Sequence, residues 1–211
     1  MKENCKKYLA EFIGTFFLVF SVASATLFGN DGVIAPLMIG FTLMVMVYAG
    51  GHISGGHYNP AVTLTCAIRG ALDKKQIIPY WISQVLGAIA AVLVALPFVQ
   101  LPEITGCDLS IAKVVIGEFL FTFALCYVVL QVATSKKTEG NSYYGLAIGS
   151  TVMAGAFAVG GICLGAFNPA VAISTIIFGA TCCVKYALIT VLVNLLAGAL
   201  AGVVFKFVDV E

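Results

Sequence analysis

The chain has 211 residues, of which 61% are hydrophobic and 10% charged, with a net charge of +1. Soluble domains carry about a quarter charged residues. The composition therefore excludes an ordinary soluble globule and points to a chain that crosses a membrane several times. The near-neutral charge excludes nucleic acid as a partner. No nucleophile–base pair, phosphate loop or cofactor motif marks an enzyme, so neither catalysis nor a cofactor is expected.

In chain order, the first apolar stretch covers about 8–28. It is too long for a signal-peptide core, and no small-x-small cleavage site follows it, so it stays as a span. After the turn Gly29-Asn30-Asp31-Gly32 comes a second span over about 33–50. The segment 50–58 is rich in glycine and reads as a loop. Pro60 then opens an apolar run, about 60–68, closed by Arg69-Gly70 and too short to cross a bilayer. A third span covers about 77–98, a polar loop about 99–110, and a fourth span about 111–132. The loop 135–141 is polar, and the fifth span covers about 143–162. A second loop, 163–167, leads into another short run, about 169–178, closed by Gly179. The sixth span covers about 183–206. The expected fold class is an all-α membrane protein with six transmembrane helices plus two re-entrant half-helices, in one domain over 1–211.

The halves repeat. Glu11-Phe12-Ile13-Gly14-Thr15-Phe16 is echoed by Glu118-Phe119-Leu120-Phe121-Thr122-Phe123. Asn-Pro-Ala occurs at Asn59-Pro60-Ala61 and again, 109 residues later, at Asn168-Pro169-Ala170. The first glutamate precedes its Asn by 48 residues and the second by 50. Three spans per half is an odd number, so repeat one (about 8–98) and repeat two (about 111–206) are inverted. Inverted repeats place the functional site near the midplane, on broken helices. With both short runs re-entrant, nine Lys and Arg fall on one side, and only Lys113 and Lys185 on the other. The basic side is expected to be cytoplasmic, with both termini inside, and Asp31, Glu103 and Asp108 outside. A full crossing by 60–68 would move Lys74 and Lys75 across and weaken that bias.

The paired motif has a direct physical reading. Asn caps a helix N-terminus and Pro is favoured at the first helical position. Each short run of roughly nine residues spans about 14 Å, enough to reach the middle of a core about 30 Å thick. The two positive helix ends then meet at the centre and repel cations. The loop glycines suit extended or left-handed backbone, whose carbonyls would line a lumen. The Asn59 and Asn168 amides would supply donors at its centre.

Glu11 and Glu118 are costly in lipid. They snorkel to the interface, or face inward and accept hydrogen bonds from loop N–H groups, or serve a proton relay; their matched positions favour the second, and no other buried carboxylate continues a path for the third. His52 and His57 lack further ligands nearby, so no metal is expected. His52 either anchors the loop or lines the inner mouth. Cys5, Cys66, Cys107, Cys126, Cys163, Cys182 and Cys183 form no ligand cluster, and no disulfide is expected. Cys182-Cys183 reads as packing.

The run His52-Ile53-Ser54-Gly55-Gly56-His57-Tyr58-Asn59-Pro60-Ala61-Val62-Thr63, the second Asn168-Pro169-Ala170 and the two glutamates resemble the aquaporin, or major intrinsic protein, family, in particular its bacterial water channels. The resemblance covers nearly the whole chain. It implies a right-handed six-span bundle and a homotetramer with one pore per subunit, in the inner (plasma) membrane. It also implies water and small neutral solutes as permeants. The departure lies at the filter positions. Family members usually place Arg after the second Asn-Pro-Ala, where this chain has Val171. Water channels usually have Phe and His where this chain has Ile39 and Ala156, and the fourth position is Gly165. Ala172 stands where glycerol facilitators carry Asp. The expectation is a passive channel for water and small uncharged solutes with a wide, Arg-less outer filter. The alternatives are a glycerol- or urea-type facilitator with little water selectivity, an occluded or gated pore, and a structural membrane protein. An active transporter lacks a coupling-ion site.

Overall fold

The computed structural model describes residues 2–30, 32–98, 109–177 and 184–209. Asp31, Glu103, Asp108, Gly179, Cys107, Cys182 and Cys183 lie outside the described residues. Eight α-helices follow one another: α1 (Lys2–Leu27), α2 (Ile34–Ser54), α3 (Pro60–Arg69), α4 (Ile77–Ala95), α5 (Ile111–Ala133), α6 (Tyr144–Val159), α7 (Pro169–Ile177) and α8 (Val184–Val208). Five segments, containing α1, α2, α4, α5 and α8, are long and apolar enough to span a bilayer. α6 has 16 residues and covers about 24 Å. It stops three residues short of the expected end, where Gly160 and Gly161 relax the helix into a turn closed by Ile162 N–H to Val159 O at 3.0 Å. α3 and α7, with ten and nine residues, are the half-length elements.

The two halves pack in equivalent ways. α1 lies against α4 as α5 lies against α8, and α3 touches α8 as α7 touches α4. α2 and α6 cross where glycines face each other. A Cβ on Gly40 would stand 2.7 Å from the Gly149 carbonyl oxygen, and one on Gly149 would stand 2.4 Å from the Gly40 oxygen. Without a strong hydrophobic drive between helices in lipid, this close backbone approach supplies the packing contact. Leu, Ile, Val and Phe side chains are exposed on the outer faces, among them Phe17, Phe41, Leu86, Leu120 and Leu192.

One difference from the sequence reading lies at the end of the second span. α2 runs on through Gly50 and Gly51 to Ser54 and is capped by Gly55 at φ 94°. Gly50 is small for a packing reason: a Cβ there would meet the Tyr58 hydroxyl at 2.0 Å. That space lets the Tyr58 hydroxyl donate to Met46 O at 2.9 Å.

Candidate functional site

The two short helices begin alike. Asn59 has extended backbone (φ −157°, ψ 121°), and its Oδ1 accepts from Ala61 N at 2.8 Å, with Pro60 in the first helical position. Asn168 Oδ1 accepts from Ala170 N at 2.9 Å. Each amide then reaches the opposite loop. Asn59 Nδ2 donates to Phe167 O and Asn168 Nδ2 to Tyr58 O, both at 2.9 Å. The two helix starts are thereby stitched together tip to tip. Each NH2 group has two hydrogens; one is spent on the stitch and the other is left for the lumen.

Tyr58 and Phe167 take positive φ, 48° and 46°, the only described non-glycine residues to do so. Bulky residues disfavour that region, and it persists only where the surroundings over-determine it. The buried glutamates provide that restraint. Glu11 accepts from His57 N at 3.0 Å, Tyr58 N at 2.7 Å, Ser54 Oγ at 2.6 Å and Gln84 Nε2 at 2.8 Å. Glu118 accepts from Ala166 N at 3.0 Å and Phe167 N at 2.9 Å. Its neighbour Asn194 is oriented by its partners so that its oxygen accepts from Asn168 N at 2.9 Å and its NH2 donates to Glu118 Oε2 at 3.3 Å. Both carboxylates thus face inward onto loop N–H groups rather than toward the interface. Gln84 and Asn194 were not anticipated. The available signal was a lone amide inside an otherwise apolar span, which in a membrane needs a partner.

A narrow cavity of about 30 Å³ runs past the stitched tips. Its walls include Asn59, Asn168, His57, Ile39, Gly165 and Val171. A water needs about 10–15 Å³ of such space, so the cavity has room for about two or three waters. Among the four filter positions, Ala156 is off the lining. α6 turns Ile148 and Val152 inward instead, and Ala156 sits one turn beyond, half-buried. Val152 is the larger residue on that face, so it defines the wall where a methyl group does not reach.

His52 is exposed at the last turn of α2. It lines vestibules of about 580 and 310 Å³ at the basic end of the molecule. The hydrogen bonds to the loop N–H groups come from Glu11. His57 borders both the cavity and the smaller vestibule. The basic end is tied together by Tyr8 Oη donating to Gln76 Oε1 at 2.8 Å and by an ion pair of 2.9 Å from Lys137 Nζ to Asp209 Oδ1. The Lys137 ammonium, helped by Ser135, holds the Asp209 carboxyl below its usual range. No group of three or more His, Cys, Asp or Glu suited to a metal occurs among the described residues.

The sequence model of the major intrinsic protein family matches residues 1–205. The chain belongs to the major intrinsic protein family. Aquaporin NIP1-1 of Arabidopsis thaliana is 36% identical over 181 residues, covering 78% of this chain and 61% of the relative, so the chain spans less than two thirds of that protein's length. Glycerol uptake facilitator protein-like 6 of Lactiplantibacillus plantarum is 36% identical over 182 residues, covering 82% of this chain and 84% of the relative. The fold is shared with the aquaglyceroporin of Plasmodium falciparum, at a TM-score of 0.81 and 19% identity over 97% of this chain and 96% of that one.

Proposed function

We propose that this member of the family is a passive channel for water and small uncharged solutes. The observation that carries the reading is the pair of half-helices. They meet tip to tip, with the Asn59 and Asn168 amides on the wall of a narrow central cavity. Each amide orients a passing oxygen, and the converging helix ends oppose cations. Pro60, Ala61, Pro169 and Ala170 set the helix starts. Glu11 and Glu118 hold the loops. Ile39, Gly165 and Val171 form an outer filter without arginine, edged by Ala156. Aliphatic walls with few donors suit permeants that cross without a fixed charge partner. The same lining suits a glycerol- or urea-type facilitator, and the similarity to the Lactiplantibacillus protein favours testing that second reading.

The basic end carries Lys6, Lys7, Lys74, Lys75, Lys136, Lys137 and Lys206, which supports both termini in the cytoplasm, and the family resemblance supports the inner (plasma) membrane. The apolar outer faces suit lipid and a homotetramer with one pore per subunit. The test is stopped-flow light scattering on proteoliposomes with water, glycerol and urea. Protein-containing vesicles are expected to exceed empty ones for water and for at least one solute; equal rates for all three end the reading. Val171→Arg is expected to reduce solute flux before water flux.

A further inference from the structure

The lumen is close to a palindrome. Glu11 and Glu118 lie 107 residues apart, and the two Asn-Pro-Ala motifs lie 109 apart. Applying 107 to α1 and α5, and 109 to the later elements, gives every residue on the cavity wall a mate that is also on the wall. Val22 of α1 pairs with Val129 of α5, and Ile39 of α2 with Ile148 of α6. Leu43 pairs with Val152. The two half-helices contribute Val62 and Val171, each directly after its Asn-Pro-Ala. The position that a filter arginine would occupy is therefore restored to the symmetric residue. On either side of the Asn pair the cavity wall is aliphatic and of nearly the same make.

One pair breaks the symmetry. His57, two residues before Asn59, has as its mate Ala166, two residues before Asn168. His57 is held rigidly. Its Nδ1 lies 3.2 Å from Thr63 Oγ1, and its ring packs at 5.3 Å against Tyr80. Thr63 Oγ1 donates to Asn59 O at 3.1 Å and accepts from Gln84 Nε2 at 2.9 Å. Its remaining lone pair fits a donor, which assigns the His57 proton to Nδ1 and leaves Nε2 as an acceptor. The inner part of the wall therefore has an imidazole, bulkier than a methyl and with one acceptor. The outer part has the methyl of Ala166 in its place.

We propose that the inner ring of His57, Leu43, Val62, Val129 and Ile148 discriminates between permeants, and that the outer ring does not. This rests on the channel reading. The imidazole acts in two ways that reinforce each other. It gives water a hydrogen-bonding station in an otherwise aliphatic passage, and it obstructs a three-carbon polyol.

The experiment measures the glycerol-to-water permeability ratio in proteoliposomes of the full chain. His57→Ala makes both rings aliphatic and is expected to raise the ratio about threefold or more, the effect of one hydrogen bond's worth of free energy. Ala166→His is expected to lower it. Because His57 also packs in the loop network, the mirror pair Ile148→Ala and Ile39→Ala provides a second comparison. These are the same truncation at matched positions, and the inner one is expected to shift the ratio further. A conducting wild type whose ratio is unmoved by His57→Ala, or is moved more by Ile39→Ala than by Ile148→Ala, overturns the proposal while leaving the channel reading intact. A wild type no faster than empty vesicles for either permeant overturns both.

Discussion

At the scale of single residues, Glu11 and Glu118 decide whether the two non-helical loops survive inside a membrane. Backbone at that depth has no water to turn to. Glu11 takes two loop N–H groups and two side-chain donors, while Glu118 takes two loop N–H groups and weaker contacts from Asn194 and Cys163. An unpaired buried N–H costs about 1–3 kcal/mol. Truncation of either glutamate to Ala leaves two of them, a loss of about 2–6 kcal/mol on the same basis. Glu11→Ala is expected to be the more damaging variant, because the Ser54 hydroxyl hydrogen and one Gln84 amide hydrogen lose their acceptor as well, although Gln84 keeps its bond to Thr63. Denaturant unfolding in detergent micelles checks the order Glu11→Ala below Glu118→Ala below wild type. The pairing of these glutamates was legible in the sequence from their matched distances to the two Asn residues. Their partners Gln84 and Asn194 were not, because they come from helices far along the chain whose facing depends on packing.

Among elements, the half-helices were readable because capping is local chemistry. Asn, Pro and the C-terminal Gly70, at φ 94°, set the start and stop of α3 without help from distant residues. The end of α2 was not readable in that way. Gly50 and Gly51 resemble loop residues by type, yet they are helical because Tyr58 must lie against Gly50. The α2–α6 crossing is governed by the same kind of contact. At Gly149, a methyl would fall 2.4 Å from the Gly40 carbonyl oxygen and 2.8 Å from Met44 Cβ, so both helices must separate to admit it. Overpacking of this kind costs about 1–3 kcal/mol. Gly149→Ala is expected to lower the thermal midpoint in micelles. Gly140→Ala serves as the comparison: nothing lies within 4 Å of its Cβ position, so its cost comes from its φ of 77° alone and leaves the helix crossing intact. Cysteine cross-linking across α2 and α6 separates the two cases, since only Gly149→Ala changes the interhelical distance.

For the whole molecule, inversion follows from the odd number of spans per half, and the structure adds a test of which way the molecule faces. The ends of the helices sort into two sets. Tyr8 meets Gln76 and Lys137 meets Asp209 at one end, while Phe28 packs on Phe98 at the other. Nearly all the basic residues lie at the first end, which the charge bias predicts to be the cytoplasmic one. Cys5 also lies at that end. It is exposed, whereas Cys66, Cys126 and Cys163 are buried. With Cys107, Cys182 and Cys183 replaced by Ser, Cys5 becomes the reactive thiol for a membrane-impermeant maleimide. In intact cells the protein is expected to stay unlabelled; after permeabilisation it is expected to gain the mass of one label. Labelling of intact cells would place the basic end outside, against the charge bias. It would also reverse the sidedness of the two rings, so that permeants entering from outside would meet His57 before the Asn pair.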